Sequence, residues 1–185
     1  MTQGGRSSQA GFLLGRFADA VDRLNGAVGR WVSWLVLLMA LVTFAVAILR
    51  YVFSFGFVWL QESYVWMHGI VFMVGAGYAL MADAHVRVDI LYRPLGPRYK
   101  AWVDLVGSLV LLLPMVAVTA WSSLPYVMTS WARLESSREA GGVPGLFVLK
   151  SFLIVFCVLL ALQGLALAAR SFLALTGRAQ QDAAP

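Results

Sequence analysis

The stretch "WVSWLVLLMALVTFAVAIL", residues 31–49, carries no charge along its whole length. A hydrocarbon core roughly 30 Å thick takes about 20 helical residues to cross, so this run is long enough to span a bilayer. Three more runs qualify. The second covers 58–82 and contains "YVWMHGIVFMVGAGYALMA". The third is "LVGSLVLLLPMVAVTAWSSLPYV", 105–127, and the fourth is "SFLIVFCVLLALQGLALAA", 151–169. Lipid offers backbone amides no hydrogen-bond partner, so such runs must be helices. The short alternating segments of a membrane strand barrel do not occur.

Composition agrees. The chain is 61% hydrophobic and 12% charged, with mean hydropathy +0.79. Soluble domains run near 45–50% apolar and about 25% charged. The single cysteine, Cys157, cannot form an internal disulfide or supply the pair that a thiol oxidoreductase needs.

Residues 1–30 differ in pattern. Leu13, Phe17, Val21, Leu24 and Val28 recur at three- and four-residue steps, with Arg16, Asp19, Arg23 and Arg30 mostly between them. This predicts an amphipathic helix lying on the membrane surface and leading into the first span. The competing reading is a cleaved signal peptide. Its charged region would be unusually long, and its apolar run is long enough to stay as an anchor. The expected fold is all-α: an interfacial segment at 1–30, a transmembrane domain of four helices at 31–169, and a polar tail at 170–185.

The net charge of +5 fits orientation better than nucleic-acid binding, because the basic residues lie between spans and not in one aromatic-interleaved patch. With the N-terminus inside, ten of the 14 Lys and Arg residues fall on the inner side and four on the outer. That split predicts both termini in the cytoplasm. Residues 83–98 then form an inner loop and 128–150 a larger outer loop.

Few residues suggest chemistry. Glu62 is an ionisable group within the second span, a functional candidate by default. It lies near the outer end of the span, where it can reach interfacial water or pair with Arg50. His68 is expected to hydrogen-bond a neighbouring helix. Asp83, His85 and Asp89 offer metal ligands, but no second cluster completes a coordination shell. A helix end suits them better, because Asp83 with Arg87 and Asp89 with Arg93 are spaced i, i+4 with acid before base. Pro94 and Pro97 should then break any helix. Gly69, Gly75, Ala76, Gly77 and Ala79, with Gly164 and Ala168, make slim faces for helix packing. Pro114 and Pro125 should kink the third span. Trp31, Trp59, Trp102 and Trp131 lie near span ends, as in an interfacial belt. No phosphate loop, catalytic triad, zinc signature or nucleotide fingerprint occurs.

Residues 59–107, "WLQESYVWMHGIVFMVGAGYALMADAHVRVDILYRPLGPRYKAWVDLVG", resemble the signature region of the small permease subunit of tripartite ATP-independent periplasmic (TRAP) transporters. Trp59, Glu62, Gly75, His85, Val88 and Asp89 match its pattern, and Arg87 lies within the same element. The wording "QESYVWMH" and "YRPLGPRYKAWVDL" is similar to the branch often labelled mannitol/chloroaromatic transport. The resemblance implies a non-catalytic scaffold in the bacterial inner membrane. Its partners would be a large permease subunit, a periplasmic substrate-binding protein and membrane lipids. No cofactor is expected in this chain, the sodium ions belonging to the large subunit. It implies uptake of an organic acid-type solute. The outer loop "ARLESSREAGGVPG" offers Arg133, Glu135, Arg138 and Glu139 for electrostatic contact with the binding protein. Its bland alternative is a solvated flexible loop. Two other classes compete. One is a self-contained small multidrug-type efflux transporter centred on Glu62. The other is a membrane anchor subunit of a redox complex, holding haem.

Overall fold

In the computed structural model the chain is helical, with no strand among the described residues, which are 3–85, 94 and 96–177. Helix α1 is Gln3–Tyr51 and α2 is Val58–Met81. Helix α3, Pro97–Val106, continues through a π-helical stretch, Gly107–Leu112, into α4, Leu113–Ala132. Helix α5 is Leu146–Leu175. Among the described residues four helices are long and apolar enough to cross a membrane, the third being α3 to α4 taken together.

The helices overrun the expected spans at most ends. α1 has no break at 30/31, where a surface-lying segment was expected to hand over to the first span. No Pro falls near that junction, and Gly26 and Gly29 just before it are carried within the helix. The third helix starts at Pro97, eight residues before the expected span. Proline is a stop signal inside a helix, but at the first helical position its missing N–H costs nothing and its φ is preset. Gly96, extended at φ −66° and ψ 162°, precedes it as the cap.

Pro114 leaves its mark one turn upstream. Its ring crowds the carbonyl four residues back, and it offers that carbonyl no N–H. The preceding stretch, Gly107–Leu112, widens into a π-helix whose last bond runs from the Leu113 N–H to the Ser108 carbonyl. Single π turns absorb such mismatches without ending a helix.

The chain leaves α2 through Asp83, at φ 56°. The Asp83 N–H donates to the Leu80 carbonyl and the Ala84 N–H to that of Ala79. These two bonds are the Schellman closure of a helix, with Asp83 in the left-handed position usually held by glycine. Asp83 therefore stands just beyond the last helical residue, Met81. Arg87, Val88, Asp89 and Arg93 lie outside the described residues.

The chain divides into two compact units. One comprises Met1–Gly26, Gly77–Ala117 and Leu159–Pro185, and the other Ala27–Ala76 and Val118–Val158. In the first unit Ala18, Val21 and Ala166 form a small buried core, with Leu162 packed against it. Ala18 and Ala166 have almost no side chain, so α1 and α5 approach closely, as membrane helices do where residues are small. Gly164 contributes in the same way. A Cβ there would come within 2.7 Å of Leu112 Cδ2. The large side chains of α1 point away from this contact, with Leu13 63% exposed against 5% for Val21.

Candidate functional site

Among the described residues two clusters of hydrogen-bonded polar side chains stand out, one in each unit. The first joins α1 to α5. Asn25 Nδ2 donates to Gln163 Oε1 at 2.7 Å, and Gln163 Nε2 donates to Asp22 Oδ1 at 2.9 Å. Arg170 donates to Asp22 Oδ2 and lies 3.9 Å from Asp19. Asp22 and Asn25 stand one turn apart on α1, and Gln163 and Arg170 two turns apart on α5. The contacts climb one helix as they descend the other, so the pair is antiparallel. Each amide passes the polarity along, donor to acceptor, until the chain ends on an ion pair.

Asn25 and Gln163 are buried, at 0% and 2% exposure. Asn25 Oδ1 accepts no hydrogen bond among the described residues. What covers it is Gly77 of α2, where a Cβ would collide with Asn25 Oδ1 and lie 3.3 Å from Leu159 Cβ. Gly77 is thus required by the amide it faces.

The second cluster fixes the loop between α4 and α5. Glu62 of α2 does not pair with Arg50. Its carboxylate accepts from the Ser137 hydroxyl and, at 2.6 Å, from the Val143 N–H. Gly142 lies so close that a Cβ would sit 2.6 Å from Glu62 Oε2. Ser137 Oγ also accepts from the Glu139 N–H at 3.1 Å. A carboxylate accepts several donors at once, so Glu62 can hold both ends of the segment 137–143.

Glu135 holds the start of the same loop. Its Oε2 accepts from Ser130 Oγ at 2.7 Å and from Lys150 Nζ at 2.5 Å. Lys150 also lies 4.0 Å over the Tyr126 ring, a cation–π contact. The hydrogen bond from Lys150, then that from Ser130, holds the Glu135 carboxyl below its ordinary pKa. The backbone turns at Leu134, φ 45°, with Leu134 and Glu135 N–H groups donating to the Trp131 and Ser130 carbonyls. A leucine in left-handed geometry is strained by about 1–2 kcal/mol. Trp131 then caps the start of α5, its ring 4.6 Å from that of Phe147 and its indole N–H donating to Ser151 Oγ at 2.8 Å.

The other candidates are scattered. Trp59 and His85 are exposed, and so are Arg133, Arg138 and Glu139. Glu135 alone of the four charged loop candidates is held by a pair of side chains. His68 is exposed and makes no hydrogen bond to α1, α4 or α5 among the described residues. Gly69 packs against Leu149, but a Cβ on Gly75 would meet nothing within 4 Å. Among the described residues no three of His, Cys, Asp and Glu come together as a metal site would need. Asp22, Asn25, Gln163 and Arg170 are absent from the sequence-derived candidates. Gln163 carried the signal, a carboxamide within an otherwise apolar run, since such groups face the interior of a bundle.

Four helices long and apolar enough to cross a membrane, among the described residues, define a multi-pass integral membrane protein. Residues 39–174 match the family model of the tripartite ATP-independent periplasmic transporters, DctQ component, and the chain belongs to that family. Its members are transporter components and not enzymes, and the chain is a multi-pass protein of the bacterial inner membrane. It is similar to the C4-dicarboxylate TRAP transporter small permease protein DctQ of Vibrio cholerae serotype O1. The two are 26% identical over 122 residues, which cover 58% of this chain and 50% of that protein. The chain thus matches about half the length of that relative. No solved structure matches significantly.

Proposed function

We propose that the chain is a non-catalytic scaffold beside the large permease subunit of a TRAP transporter. The complex takes up an organic acid-type solute, delivered by a periplasmic binding protein and driven by sodium. The observation that carries this reading is the family match over residues 39–174, in a chain where Asp22, Glu62 and Glu135 are each engaged by hydrogen-bond donors. Asp22 takes an arginine and a carboxamide, Glu62 a hydroxyl and an amide, and Glu135 a lysine and a hydroxyl. A carboxylate so engaged is a poor carrier of a transported ion or proton. The name of the Vibrio cholerae relative, a C4-dicarboxylate transporter component, supports an organic acid as the solute class. The wording of residues 61–68 supports the branch labelled mannitol/chloroaromatic.

The ten-to-four split of basic residues supports cytoplasmic termini and a periplasmic loop at 133–145. That loop is held in shape by Glu62 and Glu135, so Arg133, Arg138 and Glu139 stand exposed on a fixed frame. They are the groups offered to the binding protein.

The test is reconstitution. The tagged chain, the large permease and the binding protein are co-expressed, purified and assayed for solute uptake in vesicles. Uptake should need all three, and the tag should bring down the large permease. Uptake at the full rate by permease and binding protein without this chain would contradict the proposal.

A further inference from the structure

His68 poses a problem that the fold of this chain does not solve. It stands ten residues from the start of α2 and 13 from its end. At about 1.5 Å per residue that is ~15 Å or more from either end, close to the middle of a core roughly 30 Å thick. An imidazole cannot reach headgroups over that distance. It is exposed, and no described residue of α1, α4 or α5 bonds it. Left in hydrocarbon, its two ring nitrogens would each lack the partner that water supplies, a cost of several kcal/mol.

The same stripe of α2 holds Val65, Phe72 and Gly75, at steps of three and four from His68. Phe72 is 74% exposed, a knob with no hole in this chain. One turn on, Gly75 is a slot, because nothing lies within 4 Å of where its Cβ would be. On other parts of α2 the glycines are filled, Gly69 by Leu149 and Gly77 by Asn25. A small-residue slot beside a polar handle is the combination that packs helices in a membrane.

We infer that this face, Val65, His68, Phe72 and Gly75, receives a transmembrane helix of the large permease subunit. Two polar side chains of that helix bond His68, a carboxylate, amide or hydroxyl oxygen accepting from its ring N–H and a Ser, Thr, Asn or Gln donating to its other nitrogen. The inference rests on the proposed assembly with a large permease and adds where it occurs. Lipid tails cannot be the occupant, having nothing to offer the imidazole. A second copy of this chain fits less well. Two imidazoles facing across a twofold axis share one hydrogen bond and leave one nitrogen of each unpaired. A different helix with its own donor and acceptor satisfies both.

The experiment uses the co-expressed complex in native membranes. A photo-crosslinking benzoylphenylalanine replaces Phe72, and in a control replaces Val118, which is exposed on α4. Position 72 should yield an adduct with the mass of the large permease, and position 118 should not. His68→Leu and Gly75→Leu should each lower co-purification of the permease about tenfold, and His68→Asn should restore part of it. Adducts with a second copy of this chain, or with lipid alone, while the wild-type complex still co-purifies, overturn the docking face and leave the scaffold reading standing. Crosslinking from position 118 alone does the same. A wild-type chain that brings down no large permease defeats both.

Discussion

The two polar clusters use one device for two purposes. In each, a carboxylate collects donors that are distant in sequence. Asp22 draws on Gln163 and Arg170, all of them side chains set on helices. Glu62 draws on a hydroxyl and a backbone N–H of a loop, and Glu135 ties the start of that loop to α4 and α5. The first cluster fixes helix register. It accepts no change of one residue, because a slip would rotate Asn25 or Gln163 about 100° away from its partner. The second fixes the course of a segment that has no register of its own. A structural carboxylate is therefore as useful at the end of a helix as within one, and its exposure or depth alone does not reveal a transport role.

The largest expected effect falls on the loop cluster. Glu62→Ala strands the Ser137 hydroxyl and the Val143 N–H, and should free the segment 137–143 by about 2–3 kcal/mol. Hydrogen exchange at the Val143 amide should accelerate at least ~30-fold, while amides of α5 around Gln163 stay unchanged. Equal acceleration at both places would break the separation of the two clusters.

Next comes the helix cluster. Gly77→Ala pushes a methyl into Asn25 and should cost about 1–3 kcal/mol in unfolding by denaturant. Asn25→Ala in the same chain should remove part of that cost, a coupling of ~1 kcal/mol between neighbours. Additive effects would mean that Gly77 does not sit over the amide.

A smaller effect should come from Leu134→Gly. It relieves the left-handed strain and should stabilise the loop by about 1 kcal/mol, read as slower exchange of the Glu135 amide. The smallest is a titration. Glu135 is depressed below its ordinary value, chiefly by the hydrogen bond from Lys150. Its contribution is thus complete above the unfolded carboxyl value of about 4.3 and is lost as pH falls through the lower folded one. The side-chain carbon resonance of Glu135 should titrate below that of a peptide glutamate, and Lys150→Met should move the midpoint up.

The two regions were unequally legible in the sequence. Charge-free runs fixed the existence of the four spans, because a helix is the sole open-ended structure lipid accepts. Their ends were harder. Pro97 reads as a breaker until one knows that it occupies the first helical position, and nothing marks 30/31 as the continuous stretch it is. Gln163 was visible as a polar residue in an apolar run, but its partners Asp22 and Asn25 were hidden among the surface charges of an amphipathic pattern. Glu62 was visible too. Its partners were not, because one is a backbone amide that any residue at 143 would carry. The cluster of Asp83, His85 and Asp89 shows the converse. It is conspicuous in sequence, yet Asp83 closes a helix and His85 is exposed.

In the proposed function this chain holds the transporter together and takes no part in ion coupling. That is tested by sodium titration of solute uptake in vesicles holding the purified three-component complex, with Glu62→Gln or Asp22→Asn in this chain. The account predicts less assembled complex, while each complex that does assemble shows the wild-type half-saturating sodium concentration and the wild-type steepness. A shift of that concentration by tenfold, or a loss of steepness, would place an ion-coupling group in this chain and contradict it.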